Sequence, residues 1–359
     1  MLKKIFFITA ICGCIIQYAD AQSAADSLLA FIVKNNNRSS FYLQKNDSVI
    51  VRINENKLMP LGSTVNIIIA VEFAKQAAYK VFSLNSAISL ADLNKYYIKN
   101  TDGDAHPNWI NYENSIGNIK SESVRLLDVA RGIIMFNSNA NAEYLMDLLG
   151  FGNIQSDIRM FGLKQHTPVY PLVSSLLLYQ NGNISANRLV KEIQKMEDAE
   201  YYKAIYSIHT ALEVDERYKL NFRARDFTPK LQKLWNDRLP ASTTKEYVRI
   251  CRIINNRLIL NEETYNVLGK LLETTMETPA NNLWLKHLGA KGSSTATILT
   301  KALYATLLDG TKIEMAYFFN DLTINENKKL QSWMHDFELK ILKDENFRKK
   351  IVDVIAGKK

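Results

Sequence analysis

The chain has 359 residues, of which 47% are apolar and 23% are charged, and its formal net charge is +8. This composition is typical of globular proteins and excludes collagenous, low-complexity and disordered chains. The length is compatible with one large domain or two smaller ones. Of the three cysteines, only Cys251 lies beyond the first fourteen residues, which excludes a disulfide-stapled scaffold. The five histidines lack H-x-H and H-x-x-x-H spacing, so we expect neither a zinc hydrolase nor any other metal or cofactor.

The first 21 residues have the layout of a secretory signal. Lys3 and Lys4 precede an apolar run over residues 5–16, and Ala19-Asp-Ala21 supplies a small-residue cleavage pattern. We expect cleavage after Ala21 and an exported protein, either periplasmic or secreted. The residues up to Cys14 are weakly similar to a lipoprotein cleavage box, so a lipid anchor is the alternative.

The positive net charge identifies no partner by itself. Six basic residues lie between Lys219 and Arg238, but elsewhere the basic residues are dispersed among acidic ones, which is typical of a solvated surface. Because the signal directs the chain out of the cytoplasm, we expect no nucleic-acid partner. Contact with a membrane is expected only if the chain carries a lipid anchor.

The predicted elements begin with an amphipathic helix over residues 23–33. Two β-rich runs, 41–44 and 49–53, are joined by turn residues and predict a hairpin. A strongly apolar run over 64–79 predicts a helix that is buried in a core. The pattern then stays helical from 84 to 283.

Within this helical stretch, two helices are predicted over 124–136 and 140–149, with a polar bend between them. Strand patterns return only near the C-terminus. They cover 284–289, 294–306 and 312–319, with a hairpin turn at 308–311. A helix over 327–342 or beyond ends the chain.

Strands at both ends of the chain and helices between them predict an α/β fold of the α+β kind. We expect one antiparallel sheet built from both chain ends and a helical middle lobe. After a signal peptide over 1–21, the domain over 22–359 would divide into a sheet lobe, 22–62 and 283–359, and a helical lobe, 63–282.

Ser63 is the first candidate for chemistry because it follows Gly62 and directly precedes the buried helix. At a helix N-terminus, the backbone N–H groups favour a developing negative charge, as a nucleophilic serine requires. Serine at such a position is also an ordinary helix cap. Position alone therefore leaves both interpretations open.

Two later segments favour the catalytic interpretation. Ser138-Asn-Ala140 lies in the bend between two helices, and Lys291-Gly-Ser-Ser294 lies on a late strand. The order of Ser63, Ser138 and Lys291 resembles the S-x-x-K, S-D-N and K-T-G motifs of the class A β-lactamase and penicillin-binding-protein superfamily. The resemblance covers essentially the whole chain after residue 21 and implies a β-lactamase/transpeptidase-like fold.

The resemblance also implies roles for individual residues. Ser63 would be the acylated nucleophile, and Ser138 would be hydrogen-bonded to Lys291 and pass protons to the leaving nitrogen. The backbone N–H groups of Ser63 and Ser294 would form the oxyanion hole, with Ser293 and Asn141 beside the substrate. The implied substrate is a small molecule or peptide, namely a β-lactam or a peptidoglycan stem peptide.

The sequence departs from the family motifs at several positions. Asn66 stands where the family has the lysine of S-x-x-K, and a neutral amide is not a base near pH 7. Ala140 replaces the asparagine of S-D-N, although Asn141 follows it. K-T-G becomes Lys291-Gly-Ser, which loses the threonine hydroxyl and adds bulk at Ser293.

The glutamate that deacylates class A enzymes, within a Glu-x-x-Asn sequence, is also missing between Ser138 and Ser242. Only location makes other glutamates candidates, and each is expected to be a solvated helix charge. They are Glu197, Glu200, Glu213 and Glu216.

Ser242-Thr-Thr-Lys245 matches S-x-x-K literally, whereas the segment after Ser63 does not. It comes after Ser138 in the chain, and no hairpin of the sheet precedes it. We interpret it as the cap of the following helix.

Three functions remain open at this point. The first is a serine hydrolase that transfers acyl groups from β-lactam or D-Ala-D-Ala-type amides through Ser63, weakened by Asn66. The second is a non-catalytic protein on the same fold that binds peptidoglycan or peptides. The third is a serine esterase or peptidase with another substrate. The resemblance favours the first, and fold alone does not separate them.

Overall fold

The computed structural model describes residues 23–180 and 184–357. The signal peptide predicted over 1–21 lies outside the described residues, so its cleavage and the export of the chain stay predictions. No helix in the described ranges is both long and apolar enough to cross a membrane.

The described residues form nine strands and fifteen α-helices, each numbered in chain order. The strands are β1 Ser39–Lys45, β2 Ser48–Ile53, β3 Met59–Pro60, β4 Ala87–Ser89, β5 Ser123–Arg125, β6 Ala241–Ser242, β7 Leu285–Ser294, β8 Leu299–Leu307 and β9 Lys312–Phe319. The α-helices are α1 Ala24–Lys34, α2 Asn66–Ala78, α3 Leu90–Asn94, α4 Ala105–Ser115, α5 Leu126–Met135, α6 Asn139–Leu149, α7 Phe151–Met160, α8 Leu172–Leu177, α9 Ala186–Lys195, α10 Asp198–Val214, α11 Pro229–Asp237, α12 Thr244–Asn255, α13 Glu262–Leu272, α14 Ile324–Lys343 and α15 Glu345–Ala356.

One five-stranded antiparallel sheet, in the order β2-β1-β9-β8-β7, joins the two ends of the chain. The predicted sheet from both chain ends is therefore confirmed. The structure differs elsewhere. The short strands β4, β5 and β6 lie within the stretch predicted to be helical, and β5 takes the start of the helix predicted over 124–136. In the sheet, β7 continues to Ser294 and β8 begins at Leu299. Thr295 N donates to Ile298 O (2.9 Å) across the turn between them. This turn consists of residues whose composition is also typical of strands, which explains the misplaced boundary.

Both faces of the sheet are buried. Phe41, Tyr317 and Phe319 pack with α1 and α14 on one face. Tyr42 and Phe318, which alternate with them along the strands, pack with α12 and the helical middle of the chain. Helix α2 lies in this second core and is buried along most of its length, as its apolar sequence predicts.

The short strand β3 follows the N-terminal hairpin and leads to the turn that carries Ser63. β3 pairs with β6, so that Met59 lies opposite Ser242. Ser242 is buried, and Thr243 caps α12 by accepting from Glu246 N (3.2 Å). The segment over 242–245 is thus a strand end and a helix cap, as the sequence predicts.

Replacing Glu326 with Ala should lower the free energy of unfolding by about 1–2 kcal/mol. The Glu326 carboxylate accepts Thr323 N (2.8 Å) in a capping box at the start of α14, and it also accepts from Arg38 before β1. The Arg38 hydrogen bond lowers the pKa of Glu326 from 4.5 to about 2. Its contribution is therefore complete above pH 4.5 and is lost as the pH falls towards 2. Urea unfolding at pH 7 and pH 3 should show a smaller difference between parent and variant at pH 3. An equal difference at both pH values would contradict the assignment.

Candidate active site

Ser63 lies in a single 3-10 turn, Gly62–Val65, directly before α2. Hydrogen bonds fix this turn against the sheet. Thr64 Oγ1 lies 2.8 Å from Thr300 Oγ1 on β8, and Thr300 Oγ1 donates to Leu61 O at 2.8 Å. Gly62 has φ of +52°, a left-handed conformation that favours glycine. The turn therefore holds Ser63 at the junction of the sheet and the helices.

Ser63 lines a cleft of about 380 Å³, a size typical of small-molecule sites. The cleft lies between the end of β7, the start of α6 and the loop before α4. Its lining is mostly hydroxyl and carboxamide groups with four apolar side chains. The lining residues are Gly62, Ser63, Asn100, Thr101, Asp102, Gly103, Asn137, Asn139, Leu172, Gln232, Trp235, Leu239, Ser293, Ser294, Thr295 and Ala296.

The two predicted oxyanion donors are both at this cleft, but one of them is occupied. The Ser63 amide N–H donates to Ser293 Oγ at 2.8 Å, which is the distance at which an oxyanion would accept it. Ser294 is on β7, the edge strand of the sheet, and it lies opposite Leu299 of β8. Because bonded and non-bonded pairs alternate along the ladder and Thr295 bonds Ile298, the Ser294 N–H points to the free edge. The Ser293 hydroxyl thus occupies one of the two N–H donors of the expected oxyanion hole.

Asn66 is buried at the first position of α2, where its carboxamide bonds to the backbone of α5. Its Nδ2 donates to Ile133 O at 3.2 Å, and its Oδ1 has no partner among the described residues. Ser63 Oγ makes no side-chain hydrogen bond within the described ranges either. No described side chain therefore hydrogen-bonds the Ser63 hydroxyl in the way that a general base would.

Lys291 is fully buried on β7, next to the cleft. Its Nζ donates to Ile134 O at 3.1 Å and to Asn137 Oδ1. Burial, together with the charge of Lys301, lowers the pKa of Lys291 well below its usual value. The lysine therefore keeps its place beside the bend before α6, but its side-chain partner is an amide rather than a hydroxyl.

The implied hydrogen bond between Ser138 and Lys291 is absent, and this corrects the expectation. Ser138 is buried and caps α6, where its Oγ accepts Asn141 N (3.3 Å) and contacts His106 Nδ1 (2.9 Å). Burial lowers the pKa of His106 to about 4, so this imidazole is neutral at pH 7. The capping geometry turns the Ser138 hydroxyl into the helical core and away from the cleft.

Asn141 and Ala140 also lie outside the cleft. Asn141 is buried against α5, with its Nδ2 donating to Val129 O at 3.2 Å, and Ala140 packs in an apolar cluster. Asn137 and Asn139 line the cleft instead. Asn137-Ser-Asn139 therefore takes the place of S-D-N, one residue earlier than expected. The signal in the sequence is the pair of asparagines that flank the capping serine.

None of the four candidate glutamates lines the cleft as the structure describes it. Its one ionisable lining residue in the described ranges is Asp102, which the sequence analysis did not single out. Asp102 Oδ2 accepts His106 N at the start of α4 (2.9 Å). Burial raises the pKa of Asp102 above its usual value. The carboxylate is thus engaged at the helix start through Oδ2, whereas its Oδ1 is buried without a hydrogen-bond partner among the described residues.

The fold is similar to several solved structures at low sequence identity. A β-lactamase from Sphaerobacter thermophilus DSM 20745 is 11% identical with a TM-score of 0.56, and the match covers 89% of this chain and 96% of that one. A β-lactamase from Chitinophaga pinensis DSM 2588 is 12% identical with a TM-score of 0.52, over 88% and 98%. A mutant of PBP-A, in an acyl-enzyme complex with penicillin G, is 11% identical with a TM-score of 0.51, over 86% and 92%. None of the curated proteins matches the sequence.

Structural similarity at such low sequence identity shows only the fold. The family follows from a match between the sequence and a family model. The model of the beta-lactamase enzyme family matches residues 23–280, well over half of the chain. This range includes the Ser63 turn, α2 and the bend before α6. The chain belongs to the beta-lactamase enzyme family.

Proposed function

We propose that the cleft binds a peptidoglycan-type peptide and does not turn it over. The hydrogen bond from Ser63 N to Ser293 Oγ carries this proposal. A tetrahedral intermediate on Ser63 needs that N–H for its oxyanion, and one missing donor typically costs about 10²–10³ in rate. The Ser293 hydroxyl would have to give up this hydrogen bond before Ser63 could be acylated. This arrangement of the cleft therefore favours binding over chemistry.

The remaining machinery supports the same proposal. The position of the general base holds Asn66, and such a base is typically worth about 10²–10⁴ in rate. Asn137, and not a hydroxyl, faces Lys291, so the leaving nitrogen has no proton donor of the family's kind. No described glutamate lines the cleft to activate water.

The lining of the cleft is suited to a peptide. The Asn139 carboxamide makes no hydrogen bond among the described residues and faces the cleft together with Gln232. Trp235 and Leu172 supply apolar contacts. Amides and hydroxyls can pair with the backbone groups of a ligand, and a mutant of PBP-A, of similar fold, forms an acyl-enzyme complex with penicillin G. Such a ligand lies outside the cytoplasm, which fits the proposed export of the chain.

Slow acyl transfer through Ser63 is the second candidate. One observation favours it: Ser63 is half-buried in the cleft, and its hydroxyl has no side-chain hydrogen bond in the described ranges. The hydroxyl is thus free to attack if a ligand displaces Ser293.

Replacing Asn139 with Ala should weaken binding of an N-acylated D-Ala-D-Ala peptide about tenfold, because the variant loses an amide that pairs with the ligand. Isothermal titration of the full chain measures this. The matched control is Asn114→Ala, an exposed asparagine on α4, which should bind as the parent does. Absence of saturable binding to the parent, or equal weakening in both variants, would reject the proposed function.

A further inference from the structure

Two helices, α6 and α10, place ligating side chains opposite one another at a position away from the cleft. Helix α6 carries Glu143 and Asp147, and helix α10 carries His209 and Glu213. Each pair is separated by four residues, so its members lie on one face of their helix. Ligand atoms of Asp147, His209 and Glu213 all lie within 4.8 Å of one another.

His209 is oriented so that one ring nitrogen points into this group. Its Nδ1 lies 3.1 Å from Glu143 Oε1. Its Nε2 lies 3.6 Å from Asp147 Oδ1 and 3.7 Å from Glu213 Oε1. These two distances exceed a hydrogen bond, and Nε2 is buried without a hydrogen-bond partner among the described residues.

The surroundings hold the imidazole in this orientation. The His209 side chain is only 4% exposed. Tyr96 stacks on its ring at 5.5 Å, and Phe151 packs edge-on at 5.2 Å. Glu143 is itself fixed by Val173 N (2.6 Å) and by Ser174. A carboxylate behind Nδ1 that presents Nε2 forward is the arrangement found behind metal-bound histidines.

We propose that His209 Nε2, Asp147 and Glu213 bind a divalent transition-metal ion of the Zn²⁺ class. Tetrahedral bonds of about 2.0–2.1 Å place ligand atoms about 3.4 Å apart, close to the 3.6 and 3.7 Å between His209 Nε2 and the two carboxylates. Imidazole and carboxylate together suit Zn²⁺. Asp147 and Glu213 are 42% and 37% exposed, so ions enter from solvent and water completes the coordination.

The bound ion would cross-link α10 to α6, because its ligands come from both helices. Helix α6 begins at Asn139, which lines the cleft, so the ion would stabilise the helix that carries one cleft wall. Lys95, whose charge acts on Asp147 and Glu213, forms its ion pair with Asp92 at 2.9 Å and not with either of these ligands.

Zn²⁺ titration of the untagged full chain, followed by calorimetry, tests the site. Cys12 and Cys14 are further thiols in the sequence, so the assay uses a Cys12→Ser/Cys14→Ser background. One equivalent of Zn²⁺ should bind saturably, and Asp147→Asn and Glu213→Gln should each weaken binding at least about tenfold. The control Glu200→Gln, an exposed glutamate on α10, should bind as the background does.

Two further readouts separate a metal site from a simple ion cluster. Co²⁺ in place of Zn²⁺ should give visible d–d absorption that both ligand variants lose. Zn²⁺ at a hundredfold excess over Kd should raise the melting temperature by about 5 °C, and Mg²⁺ should not. Absence of saturable Zn²⁺ binding, or binding that both ligand variants retain unchanged, would overturn the proposal and leave His209 as a salt-bridged histidine.

Discussion

Replacing Asn66 with Lys and Ser293 with Gly in the same chain should accelerate acylation of Ser63 by a penicillin at least about 10⁴-fold. The lysine restores an amine one helical turn after Ser63, where it can take the hydroxyl proton. The glycine removes the hydroxyl that accepts the Ser63 N–H at 2.8 Å and frees that donor for the oxyanion. Intact-mass time courses with a reporter penicillin measure the rate, and the adduct should accumulate because no described glutamate lines the cleft to deacylate it.

Two variants control this experiment. Ser63→Ala in the double variant should abolish labelling. Asn66→Gln with Ser293→Gly lacks the amine and should recover only the oxyanion contribution, about 10²–10³-fold. Asn66 is buried, and a buried ammonium can destabilise the fold, so melting temperatures accompany the rates. A folded double variant that labels no faster than the parent would show that base and oxyanion hole are not what the cleft lacks.

Replacing Glu143 with Ala should lower the free energy of unfolding by about 3–5 kcal/mol. The Glu143 carboxylate is fully buried and accepts from Val173 N, from Ser174 and from His209. Its removal leaves these donors buried without an acceptor and creates a cavity between α6 and α8. Urea unfolding at pH 7 measures the loss.

Glu143→Gln should cost less, about 1–2 kcal/mol, because the amide oxygen can still accept from the backbone of α8. Glu200→Gln, on the exposed surface, should stay within about 0.5 kcal/mol of the parent. A loss below about 1 kcal/mol for Glu143→Ala would mean that other groups or water replace the carboxylate.

Local sequence patterns predicted the fold well, because buried helices and strands leave regular apolar patterns in the sequence. The apolar run over 64–79 predicted the buried helix α2, and β-rich runs at both ends predicted one shared sheet. The boundary between β7 and β8 was misplaced because Ser, Thr and Ile in a tight turn resemble a strand. Such a turn is defined by backbone hydrogen bonds, here Thr295 to Ile298, and composition does not report them.

The site was predicted only in part, because side-chain direction decides the rest. Gly62-Ser63 before an apolar helix located the cleft serine. Ser138 satisfied the motif by residue type, but as a helix cap its hydroxyl turns inward. The motif is shifted by one residue, so that Asn137 and Asn139 line the cleft in place of the residues expected there. Such a small shift is hard to recognise in the sequence.

Two contacts between distant segments were beyond sequence reasoning. Ser293 was recognised as bulky, but its hydrogen bond to Ser63 joins residues 230 positions apart. His209 meets Asp147 across two helices, so no linear spacing of histidines marks the proposed metal site.

Mass spectrometry of the parent chain mixed with one equivalent of an N-acylated D-Ala-D-Ala peptide tests the central claim most directly. At concentrations where calorimetry shows the cleft to be saturated, the protein and the peptide are weighed over hours. The account predicts an unchanged protein mass and intact peptide. An adduct on Ser63, or release of D-alanine that Ser63→Ala abolishes, would contradict it and make the chain an acyl-transfer enzyme.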